Sequence, residues 1–127
     1  MQEVSIMILT KARGPERVKA AGFKYIMNCA GAKITGSGRV EDTTGNRVVL
    51  IALIEALKRM KKLSLITVWT ESNYLIQSQG QLDQWKQNGW RRTNGAPVKN
   101  ADLWEELRQL QKGHAIRYRY ENLDMYK

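Results

Sequence analysis

The apolar residues at the start of the chain fall into short runs separated by polar segments, which is the pattern of β-strands. The three predicted strands cover residues 4–9, 22–29 and 32–40. Residues 10–20 are polar and basic and contain a Gly-Pro pair, so they predict a loop. Gly31 is expected in a hairpin turn, and Gly36 and Gly38 are expected to mark a bend or bulge in the third strand.

A long apolar segment follows and predicts a helix that is buried on several sides. The polar residues 43–46 supply capping groups for its start, and the segment 47–62 is apolar around most of the helix circumference until Glu55. Its last turns carry four cations, which the helix dipole favours at that end. Residues 63–69 form another apolar, β-rich run and predict a central strand.

The C-terminal part of the chain alternates between helical and extended patterns. It predicts short helices at 72–79 and 81–88, a loop at 89–100, an amphipathic helix at 101–112 and a last strand at 114–120. The order of three strands, helix, strand, helices and strand predicts an α/β fold, in which an antiparallel hairpin region precedes a parallel crossover.

Length and composition narrow the class of protein. The chain has 127 residues and 43% hydrophobic content, which suits one domain over residues 1–127 with one core. The longest wholly apolar run, residues 48–54, is far shorter than the roughly 20 residues of a membrane span, and the N-terminus lacks the layout of a signal peptide. Cys29 is the only cysteine and can form no internal disulfide. We therefore expect a soluble, cytoplasmic protein without membrane contact.

The charge of the chain points to a polyanion partner. The 21 Lys and Arg residues exceed the 12 Asp and Glu residues, which gives a net charge of +9. Residues 84–100 contain no acid and interleave cations with two tryptophans, a pattern that suits phosphate contact and stacking. These residues are Trp85, Lys86, Trp90, Arg91, Arg92 and Lys99. Nucleic acid is the first candidate, and a basic surface kept for solubility is the alternative.

Three sequence blocks resemble a known family. TTGNRVVLIALIEAL at 43–57, LSLITVWTESNYLI at 63–76 and WKQNGWRRTNGAPVKNADLWEEL at 85–107 are similar, in this order, to type 1 ribonuclease H. The resemblance implies a mixed sheet of five strands in the order 3-2-1-4-5, flanked by helices. It also implies binding to an RNA–DNA hybrid, and hydrolysis of the RNA strand by two metal ions that four carboxylates hold.

The carboxylates of that family are largely missing from this chain. Thr10 stands where the first strand should end in Asp, and Val49 stands where the central helix should carry Glu. Glu71 matches the third acidic position in a longer form, and the fourth position would lie in a final helix beyond residue 127. The glycine-rich loop after the first strand is replaced by Lys11-Ala12-Arg13-Gly14. One carboxylate cannot compensate two divalent cations, so we expect no metal, no cofactor and no ribonuclease H activity.

The binding residues of the family are better matched. The resemblance assigns nucleic-acid contacts to Thr44, Asn46 and Asn73, and it assigns a basic protrusion to Trp85, Lys86, Trp90, Arg91, Arg92 and Lys99. Gly45 replaces the usual Asn, which puts one minor-groove hydrogen bond in question. Packing between helices is the alternative role for the tryptophans, and a solvated loop charge is the alternative for the arginines.

Three functions therefore remain open. The first is a catalytically degenerate domain that binds an RNA–DNA hybrid or duplex. The second is an active ribonuclease H dependent on Mg²⁺ or Mn²⁺, in which a partner or a longer chain supplies acids. The third is a protein-interaction module or homodimer that reuses the fold, as connection domains of reverse transcriptases do; the apolar Val49 suits such a packing surface.

Overall fold

The fold is a single five-stranded sheet with α-helices, and the structure, a computed structural model, describes residues 1–127. The strands are β1 (Gln2–Thr10), β2 (Arg17–Cys29), β3 (Ala32–Thr44), β4 (Ser64–Thr70) and β5 (Ala115–Tyr120). The helices are α1 (Gly45–Lys58), α2 (Asn73–Ser78), α3 (Leu82–Gln87) and α4 (Ala101–Gln111). A 3-10 turn (Gln79–Gln81) joins α2 to α3, and another (Asp124–Tyr126) follows β5.

The strand order is β3-β2-β1-β4-β5, which confirms the predicted 3-2-1-4-5 sheet. The first three strands are antiparallel neighbours, whereas β4 lies parallel to both β1 and β5. Because β1 and β4 are parallel and adjacent, their C-terminal ends meet at the same edge of the sheet. Thr10 ends β1 and Glu71 directly follows β4, so this topology brings the two residues to one edge.

Helix α1 is the centre of the core. Nine of its residues are buried, and it packs against β1, β2 and α4. The Thr44 hydroxyl caps its start by accepting a hydrogen bond of 3.0 Å from the Arg47 N–H. The helix ends at Lys58, so the last basic residues of the predicted segment 47–62 lie beyond it. None of the helices is long and apolar enough to cross a membrane.

The loop predicted at 10–20 is shorter in the structure because two strands extend further than their apolar runs. Strand β2 begins at Arg17 and β3 continues to Thr44, and the two residues pair with each other. Polar residues form the backbone hydrogen bonds of a sheet as well as apolar residues do. The ends of these two strands are polar, so the pattern of apolar residues did not predict them. Only residues 11–16 remain to connect β1 with β2.

The bend or bulge predicted at Gly36 and Gly38 is absent, and that prediction was wrong. The register between β2 and β3 is unbroken past both glycines, which pair with Tyr25 and Phe23. A Cβ atom at either glycine would overlap the aromatic ring of its partner. The glycines therefore make room for two rings that lie across the neighbouring strand.

Candidate functional site

A cleft of about 260 Å³ opens where β1 and β4 end and α1 begins. It brings together five positions that the sequence singled out on different elements. These are Thr10, Asn46, Val49, Glu71 and Asn73. Three are neutral polar side chains, one is apolar and one is a carboxylate, so the cleft contains a single predicted acid.

Both oxygens of Glu71 already have partners. Its Oε1 lies 3.2 Å from Arg13 Nη2 and also contacts Lys127 Nζ. Its Oε2 accepts a hydrogen bond of 3.3 Å from the Leu123 N–H. Burial would raise the pKa of Glu71, whose side chain is only 11% exposed, but the hydrogen bonds from Lys127 and Leu123 and the nearby positive charges of Lys127 and Arg13 outweigh that effect. The pKa of Glu71 is therefore below its usual value.

This pKa shift predicts how the stability of the protein depends on pH. Because the folded-state pKa of Glu71 is lowered, its stabilising effect is complete above the unfolded-state value of about 4.3 and is lost as the pH falls through the lower folded-state value. Glu71→Gln should reduce the free energy of unfolding at neutral pH and flatten its decrease in acid. Urea denaturation across this range measures both effects.

The exposed and unpaired Glu3 offers a matched control, because Glu3→Gln changes the same side chain without breaking an ion pair. This control should keep the acid dependence of the wild type. If Glu71→Gln and Glu3→Gln gave the same pH profile, the ion pairs at Glu71 would not stabilise the fold.

Side-chain hydrogen bonds connect the cleft to the end of the loop at 89–100. The Tyr74 hydroxyl accepts hydrogen bonds from Asn100 Nδ2 at 3.1 Å and from Trp104 Nε1 at 2.9 Å. Arg47 donates to Asn100 Oδ1 at 3.3 Å and forms a two-pronged pair with Asp102, at 2.7 and 3.0 Å. The hydrogen bond from Arg47 lowers the pKa of Asp102. The helices α1, α2 and α4 are thereby tied together beside the cleft.

Residues 89–100, called the basic loop below, have a defined backbone conformation. Val98 N–H donates to the Trp90 carbonyl at 3.0 Å, and Arg92 N–H donates to the Ala96 carbonyl at 2.8 Å. Val98 is buried and anchors the loop to the core. Three exposed cations of the loop have no acidic partner within 4 Å, and they are Arg91, Arg92 and Lys99.

The other three residues of the predicted basic protrusion have different surroundings. Trp85 is only 8% exposed and packs on Trp104 at a centroid distance of 5.9 Å. Its buried ring therefore packs in the core beside the basic loop, which is the packing role that the sequence left open as the alternative to nucleic-acid contact. Lys86 is exposed but pairs with Glu105 at 3.3 Å, and Trp90 is half-buried.

Sequence reasoning missed the importance of Arg13 and Gly45. The connection at residues 11–16, which contains Arg13, contacts the start of α1. There the Asn46 N–H donates a hydrogen bond of 2.9 Å to the Gly14 carbonyl. A Cβ atom at Gly45 would overlap the backbone of Arg13. The two departures from the family pattern, at 11–14 and at Gly45, were both visible in the sequence, but only the structure shows that they are in contact.

Comparison with known proteins identifies the family of this chain. The RNase H family model matches residues 10–121. The chain belongs to the RNase H family. This match includes the ends of β1 and β4, the whole of α1 and the basic loop.

Individual RNase H relatives agree with that assignment. The ribonuclease H of Thermoanaerobacter sp. (strain X514) is 35% identical over 99 residues, which are 76% of this chain and 64% of the relative. That of Nitratidesulfovibrio vulgaris (strain DP4) is 31% identical over 122 residues, covering 94% of this chain and 78% of the relative. This chain thus spans slightly less than two thirds of the first relative.

A solved RNase H structure shares the fold. The crystal structure of LC9-RNase H1, described as a type 1 RNase H with the type 2 active-site motif, has a TM-score of 0.77 and 24% sequence identity. The similarity covers 96% of this chain and 64% of the other.

The donor set of the cleft does not fit the two metal ions of an RNase H site. Hard divalent cations take several carboxylate oxygens, and no group of three or more His, Cys, Asp or Glu side chains in residues 1–127 is arranged to hold one. Thr10 and Val49 supply no charge, and Glu71 is already engaged by Arg13 and Lys127. A metal ion at Glu71 would have to displace two cations.

Proposed function

We propose that this chain is a catalytically degenerate RNase H domain, which binds an RNA–DNA hybrid or duplex without cleaving it. The observation that carries the proposal is the contrast between two neighbouring features. The basic loop exposes three cations without acidic partners, whereas the one predicted carboxylate of the cleft is ion-paired within the chain.

The basic loop has the properties of a phosphate-binding surface. Its cations are exposed, its backbone is fixed by hydrogen bonds, and Trp85 and Val98 anchor it to the core. A fixed loop loses little conformational entropy on binding, and each phosphate contact releases counterions from the nucleic acid. LC11-RNase H1, which shares this fold with a TM-score of 0.65 and 14% identity, has been solved in complex with an RNA/DNA hybrid. Nucleic acid is therefore the partner that we propose for this surface.

Cleavage is not expected, because the chemistry of the family depends on charge that this cleft lacks. Two-metal hydrolysis places a cation on either side of the scissile phosphate, and the protein must compensate four positive charges. Thr10 and Val49 are uncharged, and the charge of Glu71 is already offset by Arg13 and Lys127. We propose that the domain acts without a metal cofactor.

Fluorescence anisotropy with a labelled RNA–DNA hybrid tests the proposed function. We expect binding at low salt that weakens steeply as salt rises, because log K should fall linearly with log[salt] by about 0.9 per phosphate contact. A single-stranded DNA of the same length serves as the reference. Undetectable binding to hybrid and duplex at low salt would contradict the proposal and would favour a protein-interaction module.

A further inference from the structure

Arg13 brings a positive charge into the lining of the cleft. Its guanidinium is 56% exposed, although Nη2 is paired with Glu71 at 3.2 Å. Lys127 contacts the same carboxylate but does not line the cleft, and it also pairs with Asp124 at 3.4 Å. The cleft therefore contains an exposed cation and one carboxylate that is already paired, at the place where the family pattern requires a cluster of carboxylates.

The position of Arg13 is fixed by its backbone as well as by its ion pair. The loop is held on α1 by the hydrogen bond from the Asn46 N–H to the Gly14 carbonyl. It approaches so closely that a Cβ atom at Gly45 would overlap the backbone N, Cα and C of Arg13. The position of Arg13 therefore depends on the glycine at 45, because the larger residue usual there in the family would displace the backbone of Arg13.

Arg13 retains hydrogen-bonding capacity for a ligand. A guanidinium has five N–H donors in a planar fork that matches the oxygens of a phosphate group, and no other polar contact of the Arg13 side chain is present besides Glu71. The amide side chains of Asn46 and Asn73 line the same cleft and can add neutral donors. A cation, a carboxylate that orients it and two amides form a binding site for an anion.

We propose that this cleft binds a backbone phosphate of the nucleic acid directly through the Arg13 guanidinium, which takes the place of divalent metal ions. The inference rests on the proposed function, because the phosphate belongs to the nucleic acid that the basic loop holds. Glu71 acts as a positioning residue for Arg13 and not as a metal ligand. Binding at this site is consequently independent of Mg²⁺.

The test compares Arg13→Gln with Arg39→Gln in hybrid binding, with either EDTA or Mg²⁺ at matched ionic strength. Arg39 is a matched control, because it also pairs with a glutamate, Glu41, at 3.0 Å and is exposed on β3 away from the cleft. We expect Arg13→Gln to weaken binding roughly tenfold and to reduce the salt slope by about one phosphate contact, equally in both buffers. Arg39→Gln should bind as the wild type does.

Arg13→Lys separates loss of charge from loss of structure. It keeps the charge without the planar fork, so its affinity should lie between those of the wild type and Arg13→Gln. Equal affinity of Arg13→Gln and the wild type, equal weakening by the lysine and glutamine variants, or a wild-type affinity that rises with Mg²⁺ would each overturn the inference. If the wild type bound no hybrid at all, the proposed function itself would fail instead.

Discussion

Reversing the charges of Arg91 and Arg92 together should weaken binding to an RNA–DNA hybrid roughly 100-fold at moderate salt. Both side chains are exposed on the basic loop, and neither forms an ion pair with an acidic residue. Their replacement by glutamate removes two cations from the surface that we propose to contact phosphates and adds two repulsive charges. Anisotropy titrations at several salt concentrations measure both the affinity and the salt slope.

Arg117 and Arg119 provide the control for this variant. They are also exposed arginines, but they lie on β5 rather than on the basic loop. Reversing their charges changes the net charge of the protein by the same amount, so it tests for a general effect of charge. If this control weakened binding as much as the loop variant, the basic loop would not be the binding surface.

Trp104→Ala should lower the free energy of unfolding by about 3–5 kcal/mol. The side chain is fully buried, and its ring lies 5.6 Å from that of Tyr74 and 5.9 Å from that of Trp85. Its Nε1–H also donates to the Tyr74 hydroxyl at 2.9 Å. The substitution removes a large apolar volume and a buried hydrogen bond at once, and urea denaturation measures the loss.

Tyr120 is the matched control for Trp104, because it is an aromatic residue that lies exposed at the end of β5. Tyr120→Ala should change the free energy of unfolding by less than about 1 kcal/mol. A similarly small effect of Trp104→Ala would show that the junction of α2, α3 and α4 is not part of the cooperative core. The same junction anchors the basic loop through Trp85, so its loss should also impair binding.

The fold could be predicted largely from local patterns, because burial and periodicity determine it. The apolar residues of α1 predicted a helix that is buried on several sides, and nine of its residues are buried. The sequence motifs at 43–107 then supplied the strand order, which hydrophobic periodicity alone does not contain. The glycines of β3 were misjudged because the rings that fill their space come from Phe23 and Tyr25 on another strand.

The candidate site was predictable only in part. Val49 and Glu71 were located from motifs and Thr10 from the order of the strands, and the cleft does bring the three together. The ion pair of Arg13 with Glu71 joins segments that are distant in the sequence, and no periodic pattern encodes such a contact. Trp85 was equally undecidable, since a tryptophan between cations suits stacking on a base as well as packing in a core.

The structure shows where part of the net charge of +9 is located. Part of the excess lies on the basic loop, where three cations are exposed and unpaired. Another part is Arg13, which lines the cleft and pairs with its only carboxylate, Glu71. Both features favour a domain that holds a polyanion over one that gathers metal ions for cleavage.

The central claim, binding without cleavage, is tested most directly by following one labelled RNA–DNA hybrid in a single sample. The protein is incubated with the hybrid and Mg²⁺ or Mn²⁺, and the sample is assayed for complex formation and for intact RNA. We expect the hybrid to be bound while its RNA strand stays intact with either metal. Metal-dependent cleavage of the RNA that disappears in an identically prepared Glu71→Ala variant would contradict it.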